Sequence, residues 1–196
     1  MIYVFGDSHA RFNMNRFTIP HTNLCENSIT MFRIGRDQHI INFSNTYNNS
    51  DNIFILFYGE VDCRCHIGKQ ILLGRELNEI VENLVSQYFN TIKNNITLYK
   101  QIIIGSITPP MCREKYESVY GPITHEFPFI GTDDERILYT QLMNNKIREY
   151  CNNYKYIFLD TYNYYSDNGL LHFDKSDAIC HIIDNKYIHD KIISYI

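Results

Sequence analysis

Residues 1–10 have the sequence MIYVFGDSHA, an apolar, β-forming run that ends abruptly at Gly-Asp-Ser. The run up to Phe5 predicts a parallel strand that is covered on both faces, because such a strand need not alternate apolar and polar residues. Gly6 permits a sharp turn after this strand. Ser8 then lies at the carboxyl end of the strand, where open α/β sheets bind their ligands. Its hydroxyl is either a nucleophile or the cap of a following helix, and these ten residues alone favour the cap.

The rest of the chain alternates predicted strands with predicted helices. Further strands are expected over residues 29–34, 53–58, 101–104 and 156–159, and helices over residues 74–95, from residue 132 or 133 onward, and after Asp184. Residues 108–131 hold four of the five prolines and predict an irregular excursion over the active face. The pattern predicts an α/β protein in three layers, α/β/α, with a central and mostly parallel sheet. We expect residues 1–196 to form one domain.

Composition narrows the function classes. The chain has 196 residues and a net charge of -4, and its Lys and Arg residues are dispersed, which argues against a nucleic-acid partner. No apolar run approaches the roughly 18 residues of a membrane span. No charged leader followed by an apolar region precedes the first strand, so we expect a cytoplasmic or otherwise intracellular protein. No glycine-rich nucleotide-binding loop follows any strand.

The six cysteines are expected to be reduced thiols in such a protein. Four residues, Cys63-Arg64-Cys65-His66, suggest a zinc site. A single cluster of this kind without a second pair at finger spacing is a weak signal. We therefore predict neither a metal nor a cofactor.

Polar residues follow the predicted strands and form a candidate site. They are Gly6-Asp7-Ser8, Gly35 and the segment Gly59–Arg64, and residues 176–181 precede the last helix. Loops at the carboxyl ends of parallel strands converge, so these segments are expected to meet. A nucleophilic serine needs a base and a carboxylate that orients the base.

Two acid and base pairs are available near the end of the sequence. Asp177 and His181 are the best placed. The competing pair, Asp184 and His189, falls on the predicted terminal helix, where His189 reads as a surface residue.

These motifs resemble those of the SGNH (GDSL-like) hydrolases. The first block corresponds to Gly6-Asp7-Ser8, the second to Gly35, the third to Gly59-Glu60-Val61-Asp62 and the last to Asp177 with His181. Phe5–His9 and Gly59–Arg64 further resemble a subset of the family, with FGDSH and GE(I/V)DCR motifs, that often accompanies polysaccharide biosynthesis. The resemblance spans essentially the whole chain and implies the SGNH-hydrolase, flavodoxin-like architecture.

The resemblance also implies roles for individual residues. Ser8 would attack an ester carbonyl, His181 would carry the proton and Asp177 would orient the imidazole. The N–H groups of Ser8 and Gly35 would stabilise the oxyanion. The remaining motif residues are expected to bind substrate, and these are Asp7, His9, Gly59 and Glu60.

The sequence departs from the family pattern in two places. The third-block Asn, an oxyanion donor in the family, is replaced by Val61, and Arg64 is our candidate replacement. The last block has one extra residue between Asp177 and His181, which leaves the acid open.

The leading hypothesis is a serine esterase or acyltransferase that acts on O-acyl groups, O-acetyl above all, of a small molecule or glycan. Hydrolysis and transfer differ only in whether water or a sugar hydroxyl accepts the acyl group. The alternative is a catalytically lapsed carbohydrate-binding or scaffolding module of the same fold. The loss of the third-block Asn favours the alternative, and the intact serine, histidine and aspartate favour the enzyme.

Overall fold

The computed structural model describes residues 1–123, 127–177 and 180–196. At its centre lies a five-stranded sheet in the order β2-β1-β3-β4-β5, and every neighbouring pair of strands is parallel. The strands are β1 (Ile2–Gly6), β2 (His21–Asn23), β3 (Ile53–Phe57), β4 (Gln101–Gly105) and β5 (Ile157–Leu159). A separate antiparallel hairpin consists of β6 (Ser166–Asp167) and β7 (Leu170–Leu171).

Helices connect the strands. They are α1 (Ser8–Asn13), α2 (Met31–Asp37), α3 (Ile67–Leu72), α4 (Leu77–Asn95), α5 (Arg113–Tyr120), α6 (Asp133–Tyr154), α7 (Tyr162–Tyr165) and α8 (Lys186–Ile193). A π-helical turn (Asp62–His66) leads into α3, and short 3-10 turns lie at Asn45–Tyr47 and Phe173–Lys175. Within the described ranges, no helix combines the length and apolar character needed to cross a bilayer.

Two apolar cores cover the two faces of the sheet, because successive side chains of a strand point to opposite faces. In β3, Phe54 and Leu56 join one core, whereas Ile55 and Phe57 join the other. The first core is closed by α2, α4 and α6, and the second by α1 and α8. The predicted three-layer α/β/α architecture with a parallel central sheet is therefore confirmed.

The predicted second strand over residues 29–34 is wrong. Residues 31–37 form α2, whose first turn is capped by Thr30, and Gly35 lies inside this helix. The true second strand is β2, three polar residues at the edge of the sheet. The apolar run at 29–34 reflects helix packing, since Met31 and Ile34 are buried at three-residue spacing on the face that meets α4.

The segment between β4 and α6 is more regular than expected. It contains α5, which packs Tyr116 edge-on against Phe129. Residues 124–126 of this segment lie outside the described residues. The predicted helix that follows begins at Asp133, with Thr132 and Glu135 forming a reciprocal capping box.

Gly6 is required by close packing where β1 turns into α1. A Cβ atom at this position would overlap both the Cβ of Ala10 and the carbonyl oxygen of Phe57 in the adjacent strand. Because the second obstacle is backbone, it cannot move aside by changing rotamer. We expect Gly6→Ala to lower the free energy of unfolding by about 3 kcal/mol, and the melting temperature by roughly 6–12 °C.

Gly74→Ala is the matched control for this prediction. Gly74 has a φ of +81°, but a Cβ there would meet no atom within 4 Å, so the substitution pays only the left-handed backbone penalty of about 1 kcal/mol. The melting temperatures of the two variants, measured by thermal denaturation, compare the cost of steric crowding at Gly6 with the cost of backbone strain at Gly74. Equal losses in the two variants would contradict the packing argument.

Candidate active site

Ser8 begins α1, directly after β1. Asp7 caps the helix, and its Oδ1 accepts a hydrogen bond of 2.8 Å from the backbone N–H of His9. The cap is thus Asp7 and not Ser8, which leaves the Ser8 hydroxyl available for another role. As the first helical residue, Ser8 also has a backbone N–H with no acceptor inside the helix.

His181 lies against Ser8, although the two residues are 173 positions apart. Its Nε2 is 3.0 Å from Ser8 Oγ, and its Nδ1 is 2.8 Å from Asp177 Oδ2. The other oxygen of Asp177 accepts the backbone N–H groups of Cys180 and His181, both at 3.0 Å. The Asp177 N–H donates to the His181 carbonyl in return. The acid and the imidazole therefore belong to one closed turn, and each holds the other in orientation.

The imidazole of His181 is also held by packing. Phe12, one helical turn after Ser8, stacks on it with ring centroids 4.0 Å apart and an interplanar angle of 10°. The segment after His181 is bound to the end of α1, because Asn185 donates to the carbonyls of Phe12 and Asn15 at 3.1 and 2.6 Å. These contacts join the two ends of the chain next to the Ser8 hydroxyl.

The competing pair is not assembled at Ser8. His189 Nε2 is 2.9 Å from the Asn13 carbonyl, and its ring packs against Phe17. Asp184 is exposed, and its backbone carbonyl accepts the Tyr165 hydroxyl. The structure brings Ser8 to His181 and Asp177 instead.

The four expected substrate-binding residues lie beneath the Ser8–His181 pair. Asp7, His9 and Glu60 are only 1%, 5% and 6% exposed, and Gly59 is buried with a φ of +115°. His9 Nε2 is 3.1 Å from Glu60 Oε2. Because these side chains are almost fully buried, little of their surface can contact a substrate. They instead pack under the Ser8–His181 pair, and the expected substrate-binding role does not fit them.

A chain of buried charges links this layer to Arg64. Arg64 Nη2 is 3.5 Å from the Glu60 oxygen that also faces His9. Burial raises the pKa of Glu60, but the charges of Arg64 and His9 outweigh it and hold the pKa at about 2. Burial lowers the pKa of His9, yet Asp7 and Glu60 bring it well above its usual range. The ring centroid of His9 lies 4.9 Å from that of His181.

Asp62 performs a structural task in the third block. Its carboxylate accepts the backbone N–H groups of Met31 at 2.6 Å and Phe32 at 3.1 Å, and so caps α2 from the loop after β3. The oxyanion role expected of Gly35 does not fit this arrangement. Gly35 is the fifth residue of α2, where an N–H is directed along the helix axis to an earlier carbonyl. A Cβ at Gly35 would strike Gln87 of α4, so the glycine permits close helix packing.

Stability is expected to rise as the pH falls from 8 to 6. Burial raises the pKa of Asp62 to about 7, although its backbone hydrogen bonds oppose the shift. The folded chain then holds a proton that the unfolded chain releases near its usual 3.8. The raised pKa values of Asp7 and His9 act in the same direction. We expect Asp62 to add about 1 kcal/mol between pH 8 and 6, measured as a rise in melting temperature of roughly 2–4 °C.

The slope of melting temperature against pH assigns this effect to Asp62. Asp62→Asn removes the titration, and because it offers one acceptor oxygen to two N–H groups it also lowers stability at every pH. Its slope should be flatter than that of the wild type, whereas Asp51→Asn at an exposed carboxylate should keep the wild-type slope. Parallel slopes for the wild type and Asp62→Asn would refute the assignment.

Two neighbours of the site were missed at the level of sequence. Cys180 Sγ lies 3.8 Å from His181 Nε2, and Phe12 stacks on the same ring. Their positions in the sequence indicate that they lie near the site. Cys180 directly precedes the base, and Phe12 follows the nucleophile by four residues, on the same face of a helix. The suspected zinc segment, Cys63–His66, instead forms the π-helical turn, and its two cysteines are buried.

Comparisons with known proteins agree with this architecture. No protein-family model matches the sequence, and no curated protein is similar to it. Solved structures do match it. A catalytic mutant of an acetylxylan esterase from Geobacillus stearothermophilus has 12% identity and a TM-score of 0.58, over 98% of this chain and 92% of that chain. A lipolytic protein of the G-D-S-L family from Veillonella parvula has 14% identity and a TM-score of 0.55, over 98% and 96%. A carbohydrate acetylesterase from Sinorhizobium meliloti has 13% identity and a TM-score of 0.52, over 100% and 99%.

At this level of identity the comparisons establish the fold. The chain has the α/β fold of the SGNH hydrolases, and its similarity to these three structures extends over nearly its whole length.

Proposed function

We propose that this protein is a serine esterase or acyltransferase that acts on O-acetyl groups of a carbohydrate. The observation that carries the proposal is the 3.0 Å approach of His181 Nε2 to Ser8 Oγ, with Asp177 on the opposite nitrogen of the imidazole. A nucleophile, a base and an orienting carboxylate within hydrogen-bonding distance are the requirement for acyl transfer through serine.

In the proposed reaction, His181 takes the Ser8 proton as Oγ attacks the ester carbonyl. With Nδ1–H donated to Asp177, the lone pair of Nε2 is directed at Ser8. His181 then gives the proton to the departing sugar oxygen and leaves an acyl-serine. Water or a second sugar hydroxyl, deprotonated by the same imidazole, attacks this ester and restores Ser8.

The developing oxyanion needs donors, and Ser8 supplies its free backbone N–H at the start of α1. We propose Arg64 as a second donor. Its guanidinium is anchored by Glu60 and interacts electrostatically with Cys180 and Asp7, which flank the Ser8–His181 pair. Its Nε has no hydrogen-bond acceptor among the described residues. One such donor contributes about 3 kcal/mol to transition-state stabilisation.

The proposed substrate class rests on two observations. Two of the similar structures belong to proteins named as an acetylxylan esterase and a carbohydrate acetylesterase. A groove beside α2 is lined by Phe32 and Phe127 among polar and basic side chains. The Phe32 ring is stacked on His66, and a groove that combines polar and aromatic side chains suits a sugar. Ser28 lines the groove. Two residues earlier, the backbone N–H of Glu26 donates to the carbonyl of Gly6, which connects this segment to the strand end next to Ser8. On the motif resemblance we further propose a setting in polysaccharide biosynthesis.

A fluorophosphonate probe tests the proposal, because only an activated serine reacts readily with it. We expect stoichiometric labelling at Ser8 and release of acetate from 4-nitrophenyl acetate and from O-acetylated xylan. Burial lowers the pKa of His181, but hydrogen bonds with Cys180 and Asp177 outweigh it and raise the pKa above its usual value. Because the base must be neutral, the labelling rate should rise with pH, with a midpoint above that of an ordinary histidine.

The same experiment can decide for the alternative. If the folded protein is not labelled at any pH, the site is catalytically lapsed and the binding module is preferred. If labelling occurs, adding a sugar acceptor separates the two reactions: a hydrolase releases only acetate, whereas a transferase yields acetylated acceptor.

A further inference from the structure

Three potential metal ligands converge beside the nucleophile. One ring nitrogen each of His9 and His181 and the sulfur of Cys180 lie within 4.8 Å of one another, and they form the one such cluster within residues 1–123, 127–177 and 180–196. Cys180 Sγ is 3.8 Å from His181 Nε2. In a tetrahedral zinc site, with Zn–S near 2.3 Å and Zn–N near 2.0 Å, sulfur and nitrogen are about 3.6 Å apart. The sulfur is also 4.0 Å from Nδ1 of the same ring, so coordination would require the Cys180 side chain to rotate toward the Nε2 side.

Both imidazoles are prepared in the way that metal-binding histidines usually are. Asp177 Oδ2 forms a hydrogen bond of 2.8 Å with Nδ1 of His181, and Glu60 Oε2 forms an ion pair of 3.1 Å with Nε2 of His9. A carboxylate on the far nitrogen fixes the ring and makes the other nitrogen a better ligand. The nitrogens that face no carboxylate are therefore His181 Nε2, which contacts Ser8 Oγ, and His9 Nδ1.

His9 Nδ1 gives an independent indication. His9 is 5% exposed, and its Nδ1 is fully buried without a hydrogen-bond partner among the described residues. A buried polar atom without a partner carries a cost in free energy. Coordination of a cation would satisfy it.

We propose that His9, Cys180 and His181 bind Zn²⁺ and that the bound ion blocks Ser8 chemistry. The thiol proton, and any proton on the two coordinating nitrogens, passes to solvent on binding. The His181 lone pair is then held by the metal and cannot accept the Ser8 proton. Because Nε2 faces Ser8 Oγ at 3.0 Å, an ion on that nitrogen would take the place of the Ser8 hydrogen bond and displace the hydroxyl. Metal binding stands without the proposed function, whereas inhibition rests on it.

Cobalt titration of the full chain tests the binding directly. Co²⁺ should bind at one ion per chain with a thiolate charge-transfer band, and Zn²⁺ should displace it. Cys180→Ser should abolish the band and weaken Zn²⁺ binding at least tenfold. Cys112→Ser, at another partly exposed cysteine outside the cluster, is the matched control and should keep both. Glu60→Gln should weaken Zn²⁺ binding by about tenfold.

Esterase assays with Zn²⁺ test the consequence, with each variant compared with its own metal-free rate. Wild-type activity should fall with Zn²⁺ and return with EDTA, and Cys180→Ser should need at least tenfold more Zn²⁺. Absence of the thiolate band, or equal Zn²⁺ affinity in the wild type and Cys180→Ser, would overturn the site. Cys180-dependent Zn²⁺ binding by a chain that has no esterase activity without metal would uphold the site and refute the proposed function.

Discussion

Ser8→Ala is expected to lower kcat on 4-nitrophenyl acetate by roughly 10⁴-fold or more, a loss of about 5 kcal/mol of transition-state stabilisation. The substitution deletes the Oγ that lies 3.0 Å from His181 Nε2. It should leave the fold intact, because Asp7 caps α1 and alanine is a good helix former. The fluorophosphonate label should disappear with the activity.

Ser194→Ala is the matched control for the nucleophile. Ser194 is exposed at the end of α8, and its hydroxyl donates to the Lys191 carbonyl. This variant should keep wild-type turnover and labelling. A Ser8→Ala protein with more than about a tenth of wild-type kcat would show that the acyl group is not carried by Ser8.

Asp177→Asn is expected to cost roughly 10³–10⁴-fold in kcat with little change in fold. Asp177 Oδ1 accepts two backbone N–H groups, so an asparagine would keep its oxygen there and direct its NH₂ at His181 Nδ1. Nδ1 would then have to accept, which places the imidazole proton on Nε2, facing Ser8. A base in that tautomer cannot take the serine proton.

Asp184→Asn tests the acid that the extra residue in the last block left open. Asp184 is exposed, and its backbone carbonyl accepts a hydrogen bond from the Tyr165 hydroxyl. Because Asp184→Asn keeps this carbonyl, the variant should retain wild-type kcat. The reverse pattern, with Asp184→Asn inactive and Asp177→Asn active, would overturn the assignment. Steady-state kinetics on one ester substrate distinguish the two outcomes.

The central strands were predictable, because burial on both faces leaves a continuous apolar run such as residues 53–57. The edge strand β2 was not, since His21–Asn23 is short, polar and largely exposed and has no apolar pattern. The apolar run at residues 29–34 predicts a strand, because it resembles the runs of the central strands. The segment is a helix in part because Asp62, about 30 residues away, accepts hydrogen bonds from the first N–H groups of α2.

Helix α6 shows a further limit of periodicity. Its apolar residue Leu138 is 46% exposed, whereas the polar residues Arg136 and Asn144 are buried. Arg136 pairs with Asp133 and lies over the ring of Phe129. Asn144 bonds both the N–H and the carbonyl of Ile107. Buried polar residues of this kind are positioned by partners that are distant in sequence, which no local pattern reports.

The motifs of the candidate site could be predicted from the sequence, but the contacts that hold the site residues in place could not. Ser8, Asp177 and His181 stand at recognisable spacings. The Glu60–His9 ion pair and the stacking of Phe12 depend on how α1, the third block and the last turn meet in space. The sequence suggests Arg64 as an oxyanion donor but gives no sign of its contact with Glu60, which depends on the folded structure.

The contacts that Asn185 and His189 make with the carbonyls at the end of α1 have a mechanical consequence. The nucleophile belongs to a segment rooted in the sheet, while its acid and base travel together on a small C-terminal unit. Alignment for proton transfer therefore depends on how these two segments pack against each other, and a displacement of about one ångström between them would cost roughly 100-fold in rate. His189 is not the base, and its contact with the Asn13 carbonyl helps to hold the two segments together.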